Sequence, residues 1–107
     1  MGIESYLVTG YEIYRPTDID DGAGSSTEQL IKLSDTAGRM RPLTGDEILA
    51  NEKLNLITSH RFYCPVQEIQ NGDYIKDTVK DQLYDVKFVR NPMEMDDHLE
   101  VDCKIKE

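Results

Sequence analysis

Strict alternation over residues 98 to 106 constrains this chain most. Leu99, Val101, Cys103 and Ile105 alternate with His98, Glu100, Asp102, Lys104 and Lys106. A period of two predicts a strand with the first set toward a core and the second toward water. One such strand cannot stand alone, so the rest of the chain must supply its partners. Leu83 to Arg90 alternates as well, with Tyr84, Val86 and Phe88 predicted on one face. Ile57 to Cys64 is rich in β-branched and aromatic residues, with His60, Phe62 and Cys64 on one face and Pro65 closing the strand. Asn71-Gly72 is a turn signal before a short strand, Asp73 to Lys76, and Asn91-Pro92 marks another turn.

Toward the N-terminus, Tyr11 to Tyr14 reads as a short strand ended by Arg15-Pro16. Gln29 to Ser34 and Thr36 to Arg41 read as two more strands, the latter stopped by Pro42. Between them, Thr17 to Ser26 carries Asp18, Asp20, Asp21, Gly22, Gly24 and two serines. That composition predicts a flexible hairpin loop with no core to pack. Residues 1–10 are expected to form an N-terminal arm that orders against a neighbour, and residues 11–107 a single β-barrel domain. The predicted fold is mainly β: a small antiparallel β-barrel of six or seven strands with one short α-helix inserted between strands. Closure is preferred because so small an open sheet would leave its edges exposed.

The inserted helix has the chain's one clear start signal. Thr44 can serve as N-cap and Glu47, three residues on, completes a capping box. Asp46 and Glu47 place negative charge at the positive end of the helix dipole. Over Pro42 to Asn55 only Ile48, Leu49 and Leu54 supply an apolar stripe, so this helix buries little.

Composition excludes several functions. Hydrophobic residues at 38% permit folding without a metal or disulfide, whereas a net charge of −9 opposes nucleic-acid groove reading and anionic membrane surfaces. No run of about 18 apolar residues exists. There is no signal-peptide pattern and no glycosylation sequon, and the myristoylation motif fails at Tyr6. An intracellular setting is expected, with Cys64 and Cys103 as free thiols.

His60 and Cys64, four apart on a strand, would lie roughly 13 Å apart, too far to share a zinc ion. His98 and Cys103 fall on opposite faces. The acidic run Asp18 to Gly22 does not align with a calcium loop, because Thr17 and Ile19 occupy the first ligand positions. Ser59 adjoins His60, but strand neighbours point apart. No phosphate loop or dinucleotide fingerprint is present. Neither catalysis nor a cofactor is expected.

The segment Gly38-Arg39-Met40-Arg41-Pro42-Leu43-Thr44-Gly45-Asp46-Glu47 resembles bacteriophage head–tail joining proteins, also called head completion, head closure or stopper proteins. The resemblance continues through Thr58 to Tyr63, then Asn71 to Ile75 and Tyr84 to Val89, and covers Tyr11 to the C-terminus. It implies a small barrel, encoded by a phage or prophage, that assembles as a ring below the portal in the host bacterial cytoplasm. Such a ring becomes a virion connector that extends the DNA channel, helps retain packaged DNA and allows tail attachment. The implied partners are the portal or adaptor ring, tail-proximal proteins and further copies of itself, the isolated protein being a monomer. DNA would pass without sequence-specific binding.

The helix segment is the candidate channel or assembly element: Pro42, Leu43, Thr44, Gly45, Asp46, Glu47, Ile48, Leu49, Asn51, Glu52 and Lys53. Arg39 and Arg41 are candidate subunit contacts. Two rivals remain, a monomeric β-barrel adaptor with one protein partner and a small acid/base hydrolase using unlocated carboxylates.

Overall fold

Six antiparallel strands close on one another in a computed structural model that describes residues 8–20, 22, 24–91 and 98–106. The elements are β1 (Val8–Asp20), β2 (Ser26–Pro42), α1 (Gly45–Lys53), β3 (His60–Cys64), β4 (Tyr74–Asp77), β5 (Gln82–Arg90) and β6 (Leu99–Ile105). Around the barrel they run β1-β2-β3-β6-β5-β4, with β4 returning to β1. The expected barrel with one inserted helix is what forms. Alternation drives it: Tyr11 and Ile13, Phe62, Ile75, Val86 and Val101 all point inward and are buried.

The strand count settles at six because the two predicted strands 29–34 and 36–41 are one. β2 runs unbroken for 17 residues and absorbs its curvature in irregularities of register against β1, between Val8 and Tyr11 and between Ile13 and Tyr14. Bulges bend a strand without ending it. Gly38 is required inside this strand, since a Cβ there would come within 2.0 Å of the buried Phe62 ring.

The predicted loop from Thr17 to Ser26 is largely strand. Asp18 pairs with Glu28, Ile19 with Thr27 and Asp20 with Ser26, leaving only the tip between β1 and β2. The expectation that these residues pack no core holds, as all those described are exposed. β1 meets β4 only over Tyr11 to Tyr14, and β2 meets β3 only over Arg39 to Pro42. Beyond those contacts the two strands continue as a ribbon paired only with itself, here called the arm. Arg15 ties its base down, donating Nε and Nη2 to the two oxygens of buried Asp73 at 2.9 and 3.0 Å.

One predicted orientation and one predicted exposure change. Phe88 faces out, because a register irregularity between Val86 and Phe88 turns the strand, and Val89 packs on the core instead. Asp102 was expected in water yet is fully buried. Pro92 of the expected turn and the residues of the expected N-terminal segment before Val8 fall outside the described residues, while Val8 to Gly10 begin β1.

Candidate assembly surface

α1 begins as its sequence predicts. Glu47 N–H donates to Thr44 Oγ1 at 3.3 Å, and Thr44 N–H donates to Glu47 Oε1 at 2.9 Å, completing the capping box. Asp46 joins Glu47 in the first turn and Lys53 lies in the last, both matching the helix dipole. Upstream, Leu43 is buried and its N–H donates to Ser59 O. Gly45 opens the helix with free space where a Cβ would stand.

The helix is fastened by polar groups. Leu49, Leu54 and Ile57 remain 54%, 68% and 62% exposed, Ile48 is half-buried, and Asn51 is the helix's one buried residue. Glu47 accepts two bonds from Arg41, each at 2.9 Å, and a third from Arg61 at 2.9 Å. Asn51 donates to Thr58 Oγ1 at 2.8 Å and to Asp102 at 3.2 Å. Asp102 also receives Arg61 Nε at 2.6 Å and Arg90 at 3.3 Å. Arg41, Arg61 and Asp102 occupy the outward positions of β2, β3 and β6, so α1 lies against the barrel's outer wall.

Arg41 holds the Glu47 carboxyl well below the usual range, helped by the Thr44 amide. Burial alone would raise Asp102, but hydrogen bonds and charge from Arg61, with Arg90 and Asn51, outweigh it and lower the carboxyl. Both acids are therefore ionised while the helix is docked.

The candidate residues thus divide. Arg41, Leu43, Glu47 and Asn51 hold the segment to the barrel, while Thr44 caps the helix. Asp46, Leu49, Glu52 and Lys53 are exposed, as is Arg39, which has no ion-pair partner among the described residues. Sequence reasoning missed Asp102, Arg61, Arg90 and Thr58. Alternation marks Asp102 as outward, which it is; only the helix lying over it makes it buried.

Ser59 and His60 correct another expectation. Ser59 precedes β3, and its hydroxyl sits 2.9 Å from His60 Nδ1. That hydroxyl also accepts the Ile105 N–H at 2.8 Å, and burial lowers the His60 pKa. The serine ties two strand ends together. Cys64 and Cys103 are free, buried thiols, Cys64 pushed up to about 12 by burial. Among the described residues no three histidines, cysteines or carboxylates converge as a metal site, and no helix is long and apolar enough to cross a membrane.

The family described as phage head completion protein matches residues 7–106. No curated protein matches the sequence. Among solved structures, the solution structure of protein SF1141 from Shigella flexneri 2a is similar, with a TM-score of 0.77 and 13% identity. The match covers 92% of each chain, and at that identity it speaks for the fold alone.

Proposed function

The chain belongs to the phage head completion protein family, and from that membership we propose that it is a non-enzymatic ring subunit of the head–tail connector. In this reading copies assemble below the portal after packaging, in the host cytoplasm, and become part of the virion. The ring extends the DNA channel, helps retain the genome and offers a surface for tail attachment. The carrying observation is the family match across nearly the whole chain. A net charge of −9 supports it, since a passage for DNA must repel rather than grip its phosphates.

The segment Pro42 to Thr58 is the proposed channel or docking element. Its exposed Leu49, Leu54 and Ile57 are available to a neighbour, and the polar contacts that hold it can be exchanged for others. The test is co-sedimentation with DNA-filled, portal-bearing heads that lack this protein. Saturable binding of several copies at the portal vertex is expected, and absence of binding would overturn the reading. Hydrogen exchange tests the mobile element separately: protection of residues 42–58 equal to that of β6 in the free protein would refute movement there.

A further inference from the structure

Charge is unevenly divided between two sides of this barrel. From Pro16 to Ile31 the sequence carries Asp18, Asp20, Asp21 and Glu28 and no lysine or arginine. Residues 15–20 and 26–31 build the arm, whose six rungs from Arg15–Ile31 to Asp20–Ser26 extend about 20 Å at the usual rise. The molecule is accordingly 51 Å long but only 32 by 29 Å across. Ile19, Leu30 and Ile31 are exposed along the arm. A two-stranded ribbon in water is marginal by itself, so a partner covering this one would stabilise it.

The wall formed by β4, β5 and β6 has the opposite character. Register aligns Tyr74, Asp85 and Lys104 in one outward row. Lys76 and Leu83 form the next, joined by Lys106, whose N–H donates to Leu83 O at 2.9 Å. Lys106 Nζ lies 4.8 Å over the Tyr74 ring, and Lys87 beside the first row pairs with Asp85 at 3.0 Å. Lys76 reaches Asp81 at 3.5 Å, while Lys104 is exposed without a carboxylate partner among the described residues. Four lysines thus face two aspartates and, across from Lys76 on β1, Glu12, in a chain of net charge −9. A groove lined by Tyr74, Asp85, Lys87, Lys104, Ile105 and Lys106 runs along this wall.

In the closed strand order β5 is three strands from β2 in either direction, so the wall lies across the barrel from the arm. We infer that the acidic arm of one copy docks on the lysine wall of the next, as a head-to-tail contact that repeats around a ring. Lysine stems, Tyr74 and Leu83 seat the exposed isoleucines and leucine, while the charges steer the approach. Unlike surfaces meeting in this way generate rings when the rotation closes. The inference supplies the subunit interface for the connector reading and rests on it for its biological setting.

The test joins Glu28→Cys and Lys104→Cys in one chain and applies a short bismaleimide, both in concentrated low-salt solution and on heads lacking the protein. Cys64 and Cys103 are buried and do not compete. A ladder beyond dimer is expected, whereas an equal mixture of the two single variants should stop at dimer. Adding Lys87→Glu and Lys106→Glu should abolish the ladder. Adding Asp18→Lys and Asp20→Lys as well should restore it, which separates lost contact from lost folding. If wild-type protein binds heads and no ladder forms, the interface is overturned and the connector reading survives. If a ladder forms without head binding, the interface stands and the connector reading falls. No ladder in either setting, a double-cysteine ladder that stops at dimer, or one indifferent to the glutamates overturns the inference. Loss of duplex DNA binding in the glutamate variant, with the ladder intact, would make the wall a phosphate surface instead.

Discussion

Asn51 donates to the Asp102 carboxylate at 3.2 Å, linking the one buried residue of α1 to a fully buried acid of β6. A helix with an exposed apolar stripe would ordinarily detach from a barrel wall. Here a short network of charges and amides holds it, and such networks are directional, favouring a placement in which every member is satisfied. The docking is therefore specific without a large apolar area.

Replacing Asn51 by Ala leaves Thr58 without its donor and removes one of the donors to Asp102. A loss of about 1–3 kcal/mol is expected for such unsatisfied buried groups. Urea unfolding measures it, and hydrogen exchange should place the loss in α1 and residues 54–58 first.

Asp102→Ala should cost more, about 3 kcal/mol, because it removes at once the acceptor shared by Arg61, Arg90 and Asn51, although Arg61 keeps Glu47 and Arg90 keeps Glu100. Asp102→Asn keeps the shape and one acceptor, so it should fall between the two. If Asp102→Ala is no worse than Asn51→Ala, Asp102 does not organise the network.

Acid should undock the helix before it unfolds the barrel. The carboxyls of Glu47 and Asp102 lie below their ordinary values of 4.5 and 3.8. Depressed acids contribute stability that is full above the ordinary pKa and lost as pH falls through the folded one. Protection of the α1 amides should therefore decline from about pH 4.5 downward while β6 remains protected. In Glu47→Gln that decline should flatten.

Gly38→Ala tests the close approach of β2 to the core. Its Cβ would lie 2.0 to 2.9 Å from Phe62 ring atoms, so ring or strand must shift. Overpacking of this kind costs about 1–3 kcal/mol. Combined with Phe62→Leu the two losses should fall short of their sum, a deficit that a double-mutant cycle reads directly.

The two cysteines should report unfolding. Burial raises both thiols, Cys64 to about 12, so thiolate is scarce in the native state. Labelling by a disulfide reagent at neutral pH should be slow and follow the rate of opening. Prompt labelling of either thiol in native buffer would show that the core opens locally.

Local patterns sufficed for much of this protein. Alternation in Leu99 to Ile105 and in Tyr84 to Val86 marks which side chains enter the core, because strand geometry alone sends neighbours to opposite faces. The Thr44–Glu47 capping box marks the helix start, because its partners are three residues apart. Those interactions are short-range, so sequence expresses them directly. Tertiary structure decided the rest. The acidic run after Thr17 looks like a loop until β1 and β2 pair across it, and Phe88 looks inward until a bulge opposite β6 turns it. Asp102 reads as a solvated residue until α1, Arg61 and Arg90 converge from distant positions to cover it. Each outcome depends on a partner far along the chain, and neither periodicity nor composition encodes which partner arrives.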